Sequence, residues 1–319
     1  LTIDATTGII QVDGEEFAGG LAGTNFAYVA AEGTPTENGT ALADAYAAAV
    51  SPGIGEPHYQ LLLAPGVYEL SSTLTLNKTR VDINTVGGLP ALVFLPSATT
   101  TSLHITADEV EINNITSTGI IAIGDDLTDL VMKDCTGGQY SFNGLPIDLG
   151  GSPSITAITL SGTFINCVCT SGSAFGADGI ASGQFENCIA GANSFGANLF
   201  STGTASGVFT ECIAGANSFG GTASGTFIRC STGSAAGFAN GATASGYFQD
   251  CTAGANSFGS VASGDFIRCT AGTGSWTAVT GGSLYNCRLL LGEFAVPTAS
   301  GIIVACIDGN NDQIFYTGV

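Results

Sequence analysis

Short apolar runs, rarely more than five residues long and separated by Gly, Ser, Thr, Asn or Pro, recur from about residue 57 to the end of this chain. Tyr59-Gln-Leu-Leu-Leu63, Ser72-Thr-Leu-Thr-Leu76, Val81-Asp-Ile83, Ala91-Leu-Val-Phe-Leu95, Val110-Glu-Ile112 and Ile120-Ile-Ala-Ile123 are examples. Alternation with a period of two, bounded by turn formers, predicts short strands and excludes long helices. One stretch has a different period. Residues 36–50 are rich in Ala, open on capping side chains, place Leu42, Ala45, Tyr46 and Ala49 on one face, and stop at Ser51-Pro52-Gly53. That pattern predicts a single amphipathic helix ahead of the strands.

Farther along, the pattern becomes a repeat. A small residue, Gly, any residue, a large apolar residue, two variable residues and Cys occur in that order seven times, starting at Ser161, Ser182, Ser206, Ser224, Ser245, Ser263 and Gly281. The intervals from Cys167 to each following repeat Cys are 21, 24, 18, 21, 18, 18 and 19 residues. A near-constant period of this size is the signature of a solenoid whose turns bury their faces on one another. In a parallel stack, corresponding residues lie about 4.8 Å apart, so like residues form ladders.

Three ladders are expected. Phe164, Phe185, Phe209, Phe227, Phe248 and Phe266, continued by Leu284 and Ile303, hold one position. Cys135, Cys167, Cys188, Cys212, Cys230, Cys251, Cys269, Cys287 and Cys306 hold the second. Phe175, Phe195, Phe219, Phe238, Phe258 and Trp276 follow each Cys by seven or eight residues. Each buried Phe contributes roughly 1.5–3 kcal/mol, so the aromatic ladders dominate the predicted core. Evenly spaced Cys in apolar phrases read as small, reduced core residues, because parallel side-chain vectors fit disulfide geometry poorly. Cys169 alone falls off the repeat.

Composition narrows the partners. The 26 acidic against 6 basic residues give a formal charge of −20, which disfavours nucleic acid and anionic membrane surfaces. No apolar stretch is long enough for a transmembrane helix, so no membrane insertion is expected. The repeat region carries few charges, and its surface is mostly Ser, Thr, Asn and Gly.

The order of a helix, then Leu61-Leu-Leu-Ala-Pro-Gly-Val-Tyr-Glu-Leu70, then Ser72-Thr-Leu-Thr-Leu76, then short strands with Asn and Cys at bends, resembles the pectin-lyase-like superfamily. Within it, the phrase Tyr28-Val-Ala-Ala-Glu-Gly-Thr-Pro-Thr-Glu-Asn-Gly-Thr-Ala-Leu42 is similar to the opening of bacteriophage tail spikes, fibres and adhesin-like virion proteins. The resemblance implies an all-β fold, a single right-handed parallel β-helix with an N-terminal capping α-helix. It divides the chain into a connecting segment, 1–25, a capping-helix region, 26–56, and a β-helix, 57–319, with regular Cys/Phe repeats at about 129–306. It further implies a non-enzymatic virion appendage, a homotrimer that meets other virion or filament proteins and attaches to a cell-surface glycan. A secreted or cell-surface filament or adhesin has the same sequence features.

The enzyme alternative is a polysaccharide depolymerase, lyase or hydrolase. Such chemistry needs paired carboxylates or an acid with a base, and Glu186, Glu211 and Arg229 on consecutive turns are the candidates. Alternation of sign at the residue before Cys, from Glu211 through Arg229 and Asp250 to Arg268, fits a surface charge ladder better. His58 and His104 lie far from that ladder, which leaves a histidine-based triad without support. Asp308, Asn310 and Asp312 place oxygen ligands at alternate positions, as calcium loops do, yet the closing acid is absent and a polar turn serves as well. No other cofactor is expected.

Overall fold

The computed structural model describes residues 2–4, 9–12, 15–16, 25–96, 101–124, 127, 129–137, 139–142, 159–169, 175, 179–196, 203–233, 237–239, 242–259, 261–291 and 301–317. The fold is a parallel β-helix. Its main sheet runs in register from Phe26–Val29 through Tyr59–Leu63, Val81–Thr85, Glu111–Asn113, Val131–Lys133 and Thr163–Ile165. It continues through Gln184–Glu186, Val208–Thr210, Thr226–Ile228, Tyr247–Gln249, Asp265–Ile267 and Ser283–Tyr285 to Ile302–Ile307. The turns before the Cys repeats therefore belong to the same stack. So does Phe26–Val29, which precedes the helix and pairs in parallel with Tyr59–Leu63, although the sequence grouped it with the cap.

Each turn bends twice and adds strands to two further sheets. One contains Ala91–Phe94, Ile115–Thr116, Thr136–Gly137 and Val168–Cys169. The other, in the repeats, stacks Thr159–Leu160, Ile180–Ala181, Thr204–Ala205, Thr222–Ala223, Thr243–Ala244 and Val261–Ala262. Inside, Leu61, Ile83, Ile112 and Met132 precede Phe164 in one column, all 0–2% exposed. The rings from Phe164 to Phe266 stack with centroids 4.7–5.1 Å apart. A second column from Phe175 to Trp276 stacks at 4.7–5.0 Å and meets the first edge-on at 5.3–5.9 Å. Edge-to-face contact aims a positive ring edge at a negative ring face, adding to the burial energy.

Both ends of the stack are covered. Helix α1 (Pro35–Ala48) opens on a capping box, with Thr34 Oγ1 accepting from Glu37 N and Glu37 Oε2 accepting from Thr34 N. It packs on the edge strand Val67–Glu69, burying Leu42 and Tyr46. Asn38 Nδ2 donates to Val67 O across that contact. Gly39 is required there, because a Cβ would stand 1.9 Å from Glu69 O. Lys78 Nζ donates to Tyr46 O, Ala47 O and Ala49 O, each at 2.7 Å, and so neutralises the helix C-terminus. At the other end Gln313–Thr317 pairs antiparallel with Ile302–Ile307 and closes the last parallel edge. Among the described residues no helix is long and apolar enough to cross a membrane.

Candidate functional site

The geometry of the repeat explains its residue choices. The residue before each Cys, from Asp134, Asn166 and Asn187 to Glu211, Arg229, Asp250, Arg268 and Asn286, has φ of 51–56°. A left-handed bend at this one position turns the chain from the main sheet into the next, and Asn and Asp tolerate it best. Side chains at the bend point outward and bond lengthwise. Asn166 Nδ2 donates to Asp134 Oδ1 at 2.8 Å, and Asn187 Nδ2 donates to Asn166 Oδ1 at 3.2 Å.

Glu211 and Arg229, two of the candidate catalytic residues, stand at successive bends with Arg229 Nη2 2.6 Å from Glu211 Oε1. Asp250 and Arg268 repeat the arrangement at 2.7 Å. The Arg268 guanidinium holds the Asp250 carboxyl below its ordinary range. Both pairs are about half exposed, where such contacts contribute about 0–1 kcal/mol. Glu186 is not at a bend. It ends the strand Gln184–Glu186 on the outer face of the main sheet, exposed, one rung from Thr210. Of the three candidates, Glu211 and Arg229 are paired at the bend, and Glu186 stands on the main-sheet face one residue before it.

Behind the bend, the nine Cys of the ladder point inward and are 0–1% exposed. All ten Cys are thiols outside any disulfide. Each Sγ sits near the main-chain oxygen of the ladder residue one turn back: Cys188 to Phe164 O at 3.3 Å, Cys212 to Phe185 O at 3.4 Å, Cys230 to Phe209 O at 3.3 Å. The thiol is thus both a small apolar filler and a weak donor to a carbonyl, which Ala could not be. Burial pushes the Cys167 and Cys188 thiols well above the ordinary range. A thiol kept protonated in an apolar column is inert as a nucleophile.

Two sets of recurring small residues gain their physical reason only in the stack. Gly183, Gly207, Gly225, Gly246, Gly264 and Gly282 stack directly on one another, and a Cβ on Gly225 would stand 2.2 Å from Gly207 O. Ser194, Ser218, Ser257 and Ser275 are 0–2% exposed, with Ser194 Oγ donating to Gly191 O at 2.9 Å.

In the early turns, the outer face of the main sheet carries a polar constellation. Asp82 is 3% exposed and accepts from Gln60 Nε2 at 2.6 Å and from Glu111 N at 2.7 Å, with His58 Nδ1 3.0 Å from its Oδ2. Asn84 Nδ2 donates to Gln60 Oε1, and Asn113 Nδ2 donates to Asn84 Oδ1. Lys133 Nζ pairs with Glu111 Oε1 at 2.8 Å. The sequence places His58 far from the charge ladder; its partner Asp82, 24 residues away, meets it only through the stacking register. The constellation satisfies a buried carboxylate completely, and His104 lies on a different sheet.

Asp308, Asn310 and Asp312 form the turn of the closing hairpin. Asp308 is buried, and its Oδ1 accepts from Asn310 N and Asp312 N, each at 2.9 Å. That oxygen is committed to closing the turn, while Asn310 and Asp312 are exposed. No group of three or more His, Cys, Asp or Glu side chains among the described residues is arranged to hold a metal ion.

No family model matches the chain. No curated protein matches it either. Among solved structures it is similar to ORF18 of Geobacillus virus E2, with a TM-score of 0.42 and 10% identity, covering 88% of this chain and 61% of that one. The chain thus spans less than two thirds of the length of the phage protein it matches.

Proposed function

We propose that the chain is a non-enzymatic appendage of a virion or a comparable extracellular particle, a rigid β-helical rod that presents its side faces for attachment to a glycan-bearing surface. The observation that carries this reading is the engagement of its few bases. Lys78 caps the helix, Arg80 pairs with Glu109, Lys133 with Glu111, Arg229 with Glu211 and Arg268 with Asp250, so five of the six bases serve the fold itself. Of the acids weighed for glycoside cleavage, Glu211 is engaged by Arg229, which leaves Glu186 without a free partner carboxylate on that bend. A glycan met by such a surface is uncharged, since few bases remain to hold an acidic one.

The homotrimer belongs to the same proposal. Outward Thr204/Ser206, Thr222/Ser224 and Thr243/Ser245 give one side of successive turns an uncharged hydroxyl surface on a chain of charge −20. Copies meet there with the least repulsion. Incubation with capsular and pectic polysaccharides, followed by assay for new reducing ends or unsaturated products, tests the reading. No product is expected. Product formation abolished by Glu186→Gln or Glu211→Gln sinks it. Light scattering tests the trimer, and a stable monomer contradicts that part.

A further inference from the structure

Three consecutive turns, 163–168, 184–189 and 208–213, carry aliphatic side chains in a column where the next three turns carry hydroxyls. On the main-sheet side of the bend, Thr163, Ile165, Gln184, Glu186, Val208 and Thr210 line a depression of about 120 Å³. On the other side, Val168, Ile189 and Ile213 bridge in parallel from turn to turn. Val208 and Ile189 are each 44% exposed and Ile213 is 49% exposed. At the same column the later turns have Ser231, Thr252 and Thr270. The solenoid therefore does not need apolar side chains here. The corner between the two sides is stiffened by the Asp134–Asn166–Asn187 amide chain.

The charge at the surface is also unbalanced. Glu186 makes no ion pair among the described residues, whereas the neighbouring bend acid Glu211 is taken by Arg229. A carboxylate between exposed aliphatic side chains is complementary to a base flanked by apolar groups. We infer that this corner, built from Ile165, Glu186, Ile189, Val208 and Ile213, is a docking site for a protein segment in which an Arg or Lys is flanked by aliphatic side chains. The carboxylate orients the base, and the aliphatic contacts supply the buried area. The inference stands apart from the appendage reading, because it concerns a protein partner and not a glycan.

The test uses the full chain and three capped tripeptides, Leu-Arg-Leu, Leu-Gln-Leu and Leu-Glu-Leu, titrated while backbone amide resonances are followed by NMR. Leu-Arg-Leu is expected to bind most tightly, Leu-Glu-Leu least, with shifts confined to residues 163–168, 184–189 and 208–213. Glu186→Gln is expected to weaken Leu-Arg-Leu by about fivefold and to leave Leu-Gln-Leu unchanged. Ile213→Ser weakens both, while Ile307→Ser, an exposed Ile at the far end, affects neither. Glu186 is exposed, so its variant decides the matter even if Ile213→Ser perturbs folding. Equal affinity for the three peptides, shifts elsewhere, no binding at millimolar peptide, or indifference to Glu186→Gln overturns the inference.

Discussion

At the scale of the residue, the repeat phrase is a set of steric and hydrogen-bonding demands. Its Gly has no room for a methyl group: a Cβ on Gly246 would stand 2.1 Å from Gly225 O. Gly225→Ala is expected to cost at least about 3 kcal/mol, read as a lower midpoint in urea unfolding, because the overlap is with main chain and not with a movable side chain. The thiols make a second prediction. In the unfolded chain Cys ionises near pH 8.5, while burial keeps Cys167 and Cys188 protonated in the fold. The native state then holds more protons, so stability falls as pH rises above about 8.5. Each such thiol adds up to about 1.4 kcal/mol of loss per pH unit. Urea unfolding between pH 7 and 10 reads the slope, and a flat profile contradicts the protonated Cys167 and Cys188 thiols. The recurrence of Gly and Cys was legible in the sequence; the carbonyl each one faces was not, since both lie a full turn away along the chain.

At the scale of the element, short strands and one helix were legible because period-two alternation and Ala-rich capping are local signals. The left-handed bend was not. Glu211, Arg229 and Arg268 occupy it as Asn166 does, although long charged side chains have no marked preference for positive φ. The stacking register overrides local propensity there. The pairing of His58 with Asp82 escaped for the same reason, as register and not sequence distance makes neighbours. The helix is held mainly by what lies after it. Lys78→Met keeps much of the aliphatic stem but removes three donors from the helix end, and an expected loss of about 1–2 kcal/mol would appear as earlier exchange of the α1 amides. Unchanged α1 protection would show that packing on Val67–Glu69 alone secures the cap.

At the scale of the molecule, the claim is that the repeats form a quasi-one-dimensional scaffold, each turn stabilised by its two neighbours, with specific contacts left to the less regular turns. The period made that scaffold legible from sequence. The surface chemistry was less so, because Glu186, Glu211 and Arg229 are interchangeable in a list of charges and differ only once the stack pairs Glu211 with Arg229 at the bend and leaves Glu186 on the sheet face. The most direct test excises one turn. Deleting Ser245 to Ala262 joins Ala244 to Ser263 and removes one Gly of the stacked column, one residue of each Phe column and one Cys while leaving every remaining residue in register. The account predicts a folded chain with cooperative unfolding and a strand-rich circular dichroism spectrum like the parent's, whereas deleting only Ser245 to Ala253 breaks the register and unfolds the flanking turns. Unfolding of the full-turn deletion, or equal tolerance of both deletions, would contradict it.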